Sequence, residues 1–519
     1  MKQQRAAVIG SGFGGLTLAV RLQAAGIATT VIEKRDKPGG RAYVYEDKGY
    51  TFDGGPTIVT APPSLEEVFA AAGRDMSDYI TLLPVMPFYR LYWEDGYTFD
   101  YSNDLEATTQ QIADKNPRDV DGYMKFLDYA EEVFHEGYTK LAATPFLNFW
   151  SMIQVSPQLI RLQSFRSVYS IISKYIKDDH LRQVFSFHPL LVGGNPYTSS
   201  SIYTLIHYLE RNWGVFVVKG GTGALVAALV TLFEELGGEI RLDSPVERIH
   251  TSNGRVTGVT TADGWHGDFD AVASNADVVH TYDKLLSEDS DAQREASRLK
   301  RNRFSMSLFV VYFGVRRRHT QIAHHDILFG PRYKPHLKEI FNGPEVSDDF
   351  SLYLHAPTLT DTSVAPDGCE AFYVLSPVPH LGNAPVDWSE EGPRYRDKIL
   401  DYLEKRYLPN LQADIETVRF IDPDHFRDTL NSHLGSAFSL EPILTQSAWF
   451  RVHNRVKKIG GLSFAGAGTH PGAGVPGVVN SATATAGLMI GDLPGESGCG
   501  QHDGQRRQPR PGGHRKGLQ

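Results

Sequence analysis

The stretch Gly10-Ser11-Gly12-Phe13-Gly14-Gly15 limits what this chain can fold into more than any other. It lies between a short apolar run, Ala6 to Gly10, and a helical pattern, Gly14 to Ala25. Gly10 permits a tight turn, Gly12 lets backbone approach a pyrophosphate, and Gly15 allows a helix to pack closely on a strand. The free N–H groups of the helix start, at Phe13 and Gly14, then face phosphate oxygens. A second strand, Ala28 to Glu33, follows, and an acidic residue at its end suits ribose hydroxyls. The unit is a Rossmann-like βαβ turn that fits either NAD or FAD; an ordinary glycine loop is the remaining reading.

At 519 residues the chain exceeds what one core usually serves, so at least two lobes are expected. Its 52 Lys and Arg stand against 61 Asp and Glu, a net charge of −9, which offers no overall attraction to nucleic acid or anionic lipid. Cys369 and Cys499 are too far apart for paired-ligand spacing, so a reducing cytoplasm is expected, with neither a disulfide framework nor a zinc site. Residues Met1 to Arg5 lead straight into the first strand without the pattern of a signal peptide. No apolar run reaches the roughly 20 residues that span a bilayer.

Strand and helix patterns divide the chain. The nucleotide-binding domain takes residues 1–88, 207–285 and 456–493; a substrate domain takes 89–140 and 286–455; a helical insertion covers 141–206. A second glycine turn, Gly220-Gly221-Thr222-Gly223, leads into a helix, and strands flank Asn253-Gly254 as a meander. Arg303 to Val311, Ser351 to His355 and Ala371 to Val378 predict a sheet in the substrate domain. Residues 494–519, rich in Gly, Arg, Gln, Pro and His, are expected to be disordered.

Gly39-Gly40-Arg41 and Asp53-Gly54-Gly55-Pro56 follow Glu33 in an order that resembles the FAD-containing amine oxidase superfamily. The resemblance implies an α/β fold with a Rossmann-like FAD-binding domain and a mixed-sheet substrate domain. It implies Arg41 as a two-pronged donor to the pyrophosphate, Gly54 and Gly55 as close neighbours of the flavin, and the Val246 backbone at the adenine. The helix that starts near Gly477 and Val478 would face the flavin with its positive dipole end.

The run Phe464-Ala465-Gly466-Ala467-Gly468-Thr469-His470-Pro471-Gly472, continuing to Gly477, is similar to the C-terminal signature of bacterial carotenoid desaturases. Gly40 to Asp47, Leu191 to Pro196 and Thr445 to Phe450 extend the resemblance over residues 5 to 493. It implies successive desaturations of 15-cis-phytoene, through carotene intermediates, toward all-trans-lycopene, with hydride passing to FAD and oxygen or a membrane quinone as final acceptor. A desaturase of another carotenoid, either a hydroxylated C40 carotene or C30 dehydrosqualene, remains open, as do an FAD-dependent carotene isomerase and a flavin-containing lipid carrier.

Many flavoproteins of this fold carry Gly-Asp where this chain has Gly468-Thr469, so a backbone amide or Thr469 is expected in place of the carboxylate. His470 is the only catalytic candidate and reads more readily as a hydrogen-bonded structural residue; no general base is assigned.

A membrane-borne substrate needs an apolar entrance, and Thr144 to Lys177 is the expected place. Leu162, Phe165, Tyr169, Ile172 and Ile176 fall on one helical stripe, with Arg166, Lys174 and Lys177 opposite. Phe146, Phe149 and Trp150 precede it as aromatic anchors for a peripheral membrane contact; packing of the stripe within its own domain is the competing reading. His319, His324, His325 and Asp326 follow Arg316-Arg317-Arg318, lack helical ligand spacing, and predict a solvated loop without metal.

Overall fold

The computed structural model describes residues 3–146 and 149–493, apart from the side chains of Phe149 and Ser151. The anchor expected at Phe149 and the tail expected over 494–519 therefore lie outside the described residues.

Five parallel strands form the nucleotide-binding layer, in the order Leu462–Phe464, Ala271–Ser274, Arg5–Ile9, Ala28–Ile32 and Glu239–Arg241. A parallel sheet is covered on both faces, which is why Ala6, Ala7 and Val8 of its central strand are fully buried. Helices Phe13–Ala24, Thr222–Glu235 and Val475–Asp492 cover one face, joined to it through Val8, Leu16, Leu229 and Val479. On the other lies an antiparallel sheet, Val246–Ser252, Arg255–Thr261 and His266–Asp268, packed through Val256 and Val259 onto Ala7 and Val272. Its first turn uses Asn253 and Gly254, both at positive φ, the pairing that matches strand twist in a two-residue hairpin.

The second lobe is built on a seven-stranded mixed sheet. Its order is Ile415–Ile421, Ser307–Val315, Glu370–Val378, Leu352–His355, His325–Phe329, Tyr89–Trp93 and Thr98–Tyr101. Alternation along Ser307–Val315 decides its two faces: Leu308, Val310 and Tyr312 join the larger core, while Phe309, Val311 and Phe313 pack against helix Trp388–Arg406. This strand starts later than the expected Arg303, because Phe304 pairs with Leu440 and Ser305 N–H donates to the Ser439 carbonyl instead.

Helices fill the region between the lobes, among them Val120–Phe134, Phe149–Arg161, Val168–Tyr175 and Leu205–Trp213. The single amphipathic helix expected over Leu162 to Ile176 is broken. Residues 163–168 pair instead with 199–201, through Ser201 N–H on the Arg166 carbonyl and Val168 N–H on the Ser199 carbonyl. Gln163 takes a positive φ, and Ser167 caps the next helix by accepting from Ser170 N–H. Leu162, Ile172 and Ile176 are consequently buried while Phe165 projects outward, 62% exposed. Among the described residues no helix is long and apolar enough to cross a membrane.

Gly122 marks the tightest crossing in this region: a Cβ there would lie 2.0 Å from the Tyr175 carbonyl oxygen. Gly122→Ala is therefore expected to destabilise the protein by about 1–2 kcal/mol, because backbone must shift by more than helix propensity returns. Gly487→Ala, in an exposed helical position with open space around its Cα, is expected to stabilise it by about 0.5–1 kcal/mol. Thermal unfolding of the two variants should move in opposite directions.

Candidate active site

The strand Arg5–Ile9 delivers the chain to Gly10, whose φ of +94° turns it sharply into helix Phe13–Ala24. A Cβ at Gly15 would lie 2.0 Å from the Gly10 carbonyl oxygen, so only glycine lets the helix start this close to the strand end. The helix has no side-chain cap and no acidic residue in its first turn, which leaves its N–H groups to an anion.

The glycines serve a second purpose that their spacing did not disclose. Asn275, at the end of the neighbouring strand, donates from Nδ2 to the Ala465 carbonyl at 2.8 Å. Its amide fills the space where Cβ atoms of Gly12, Gly14 and Gly466 would otherwise lie, at 2.9, 2.7 and 2.4 Å.

Glu33 is buried, with Oε2 accepting from Ser11 N–H at 2.8 Å and Ser11 Oγ at 2.7 Å, and Oε1 from Arg35 N–H at 3.0 Å. It ties the end of the second strand to the glycine turn. Arg41 donates from Nη2 to Ser432 Oγ at 3.2 Å, while its Nε is buried without a partner. A cation half-satisfied beside a free helix N-terminus fits a pyrophosphate.

Gly54 and Gly55 are also required for a reason internal to the protein. Their Cβ atoms would meet the carbonyl oxygens of Tyr43 at 2.4 Å and Arg41 at 2.7 Å. Their own carbonyls accept from Tyr312 and Tyr373 hydroxyls at 2.7 and 2.9 Å, which fastens this loop to the substrate-lobe sheet. Asp53, just before them, accepts from Thr222 N–H at 2.8 Å and so caps the helix after the second glycine turn. Burial pushes its carboxyl up to about 6, against those backbone donors. Sequence reasoning missed this link, although the acidic residue before one glycine pair and the exposed helix start after another were both visible.

These elements open onto one cavity of about 500 Å³. Gly10, Gly12, Phe13, Gly14, Glu33, Arg41, Gly54, Gly55, Val246, Gly477 and Val478 line it. Gly15 supports the wall from behind. Gly468 does not reach it; a Cβ there would lie 2.6 Å from a Val278 methyl. The start of helix Val475–Asp492 faces in, following Gly474 at positive φ. Away from the glycine turn the wall becomes apolar, with Leu190, Ile206, Leu209, Leu308 and Phe438.

The C-terminal signature is held by a residue that motif reading passed over. Buried Arg451 donates to the carbonyls of Ala467 at 2.6 Å and Thr469 at 3.1 Å. The Thr469 hydroxyl donates to the Val452 carbonyl and is not free to replace the missing carboxylate. His470 does not line the cavity. Its Nε2 donates to the Leu141 carbonyl at 3.1 Å, its ring meets the edge of Phe146, and burial pushes it down to about 4. Phe146 is accordingly buried against this imidazole and does not face outward as an anchor. Tyr169 is partly buried, its ring against Tyr197 and its hydroxyl donating to Asp179.

The expected solvated loop at His319 to Asp326 is overturned: all four named residues are buried. Arg316, Arg317 and Arg318 stay at the surface, as do Thr320 and Gln321. The apolar Ile327, Leu328 and Phe329 carry the strand into the sheet, between Leu352–His355 and Tyr89–Trp93, and the histidines go with it. His324 contacts His355 at 3.0 Å and Thr360 at 2.6 Å, and His325 Nδ1 donates to the Phe88 carbonyl. Nitrogens of His324, His325 and His355 lie within 4.8 Å of one another.

Fold and cavity together define a two-lobed dinucleotide-binding oxidoreductase, its cradle suited to FAD. The model of flavin-containing amine oxidoreductases matches residues 13–490, and the chain belongs to that family, with FAD as its cofactor. It is 60% identical to the lycopene-forming phytoene desaturase of Pseudescherichia vulneris, over 94% of this chain and 100% of that protein. It is 58% identical to the Pantoea ananas protein of the same name, over 94% and 99%. Among solved structures, a putrescine oxidase variant shares the fold at a TM-score of 0.62 and 16% identity, over 94% of this chain and 99% of that one.

Two outcomes follow. Arg41→Ala should weaken FAD binding by about 10- to 100-fold, the range for losing a charge-assisted contact, as read by flavin titration of apoprotein. The second concerns pH. His280 and His425, which line the cavity, and His470 are pushed down from 6.5 to about 4, in each case chiefly by burial. A depressed folded value means the unfolded chain binds more protons, so the stabilisation is whole above 6.5 and lost as pH falls through about 4. The melting temperature should fall across that window, less steeply in His470→Gln; equal slopes would reject the assignment.

Proposed function

We propose that this protein is a carotenoid desaturase that takes 15-cis-phytoene by successive desaturations to all-trans-lycopene, working against a membrane surface. The observation that carries it is the single cavity joining a charged dinucleotide cradle to an apolar chamber, in a chain so similar to lycopene-forming desaturases.

Bound FAD supplies the two-electron acceptor for hydride from an allylic carbon. Arg41 and the helix start at Phe13 would hold the pyrophosphate, and the helix start near Gly477 would favour negative charge on the ring. Tyr312 and Tyr373 fix the Gly54-Gly55 loop from the substrate side. Leu190, Ile206, Leu209 and Leu308 position the polyene and exclude water. Oxygen or a membrane quinone would serve as the final electron acceptor.

The lipid contact centres on the helix Phe149–Arg161 and the turn after it. Trp150, Ile160 and Phe165 are 71%, 66% and 62% exposed, with Ile153 beside them. Arg166 is exposed next to these apolar groups, where its head can reach lipid phosphates, while Arg161 is paired with Glu132. Tyr138 and Ala142, which precede this helix in the chain, line the cavity.

Purified protein with FAD and phytoene-bearing liposomes should form products lighter by two hydrogens per step and ending in lycopene. Products of unchanged mass would favour an isomerase instead. In sedimentation with liposomes, the combined Trp150→Ser, Ile153→Ser, Ile160→Ser and Phe165→Ser variant should bind about tenfold more weakly or worse while keeping its FAD. Undiminished binding would remove this surface as the contact.

A further inference from the structure

Three carboxylates line the cavity, Glu33, Asp277 and Glu210. The first two belong to the dinucleotide end: Glu33 is occupied by the glycine turn, and Asp277 caps the short helix at Val278 and faces Arg41. Glu210 stands apart, on helix Leu205–Trp213 among Leu205, Ile206 and Leu209.

A carboxylate only 1% exposed in an apolar wall needs partners, and Glu210 has two. The Tyr89 hydroxyl, also at the cavity, donates to Oε1 at 2.7 Å, and His188 Nε2 lies 3.2 Å from Oε2. The neighbouring Arg211 does not neutralise it; its guanidinium donates to the carbonyls of Ser102 and Asn103. His207, on the same helix, is bonded to the Tyr101 hydroxyl at 2.7 Å and is held well below its ordinary value by burial.

We propose that Glu210 is the base of the desaturation, with Tyr89 and His188 as the residues that position it. The inference rests on the desaturase reading. When one allylic C–H bond yields its electron pair and hydrogen to bound FAD, the substrate is left with delocalised positive charge. The adjacent C–H bond then breaks, its electron pair forms the new C=C bond, and its proton goes to the Glu210 carboxylate. His188, donating from Nε2 to Oε2, and Tyr89, donating to Oε1, hold the carboxyl in place, and Glu210 keeps the proton until it is released to solvent before the next step. Before the proton moves, the buried negative charge also favours the cation, since the apolar wall screens it little.

Glu210→Gln keeps the shape and an acceptor for Tyr89, so FAD retention and melting behaviour should stay close to wild type. Its kcat on phytoene should fall by about 100-fold or more, with KM little changed. A reading independent of turnover uses N,N-dimethyldodecylamine against its neutral isostere 2-methyltetradecane as ligands for the chamber. Wild type should prefer the protonated amine by about tenfold, the scale of one charge-assisted hydrogen bond, and Glu210→Gln should lose that preference. On unaltered protein, mixing with phytoene without oxygen should raise a protonated-carboxyl infrared band. An amine preference that survives in Glu210→Gln, no such band, or a kcat within about tenfold of wild type would overturn the base alone. Phytoene left intact by wild type would overturn the desaturase reading and the base with it.

Discussion

The structure hangs on the side chain of Asn275. Its amide reaches the Ala465 carbonyl and occupies the space beside Gly12, Gly14 and Gly466. Through it the first strand's turn, the end of the strand Ala271–Ser274 and the C-terminal segment meet at one point, though they come from the two ends and the middle of the chain. Parallel strands cannot be joined by short turns, so the layer must be assembled from distant segments, and a polar side chain at their junction fixes how closely they approach. A Cβ on any of those glycines would meet this amide and compete with its bond to the Ala465 carbonyl.

From that point outward the two lobes are coupled by tyrosines. Alternation along Ser307–Val315 and Glu370–Val378 turns Tyr312 and Tyr373 toward the nucleotide layer, where their hydroxyls hold the carbonyls of Gly54 and Gly55. The same alternation sends Phe309 and Phe313 to the opposite face. One sheet thus fixes the Gly54-Gly55 loop and forms one wall of the chamber. Any slip in strand register would exchange the two sets of side chains.

What was legible in the sequence was local. The turn Gly10 to Gly15, Glu33 and the Asn253-Gly254 hairpin declare themselves because neighbouring residues determine their conformation. Arg451, Asp53 and Asn275 were not legible, because each acts on backbone contributed by a distant segment. The same blindness misplaced the His324-His325 pair. Three arginines just before it suggest a surface, whereas pairing with Leu352–His355 draws it inside. Likewise the stripe from Leu162 to Ile176 has helical period, yet backbone bonds to 199–201 outcompete one turn of helix and expose Phe165 alone. The need for glycine at 54 and 55 was readable, but the constraint from the carbonyls of Tyr43 and Arg41 was not.

The chamber's electrostatics follow from burial applied to groups of opposite kind. Burial pushes His280 and His425 down, so they stay neutral, and pushes Tyr89, Tyr353 and Tyr373 up, so they stay protonated. Cations line only the dinucleotide end, at Lys34, Arg35 and Arg41. The lining is therefore polarised, positive where phosphate belongs and uncharged along the apolar wall except at Glu210. For a substrate without polar groups such a wall offers no competing hydrogen bonds. A transient positive charge on the polyene would find one nearby counter-charge, so its location would be decided by where the chain sits along the wall.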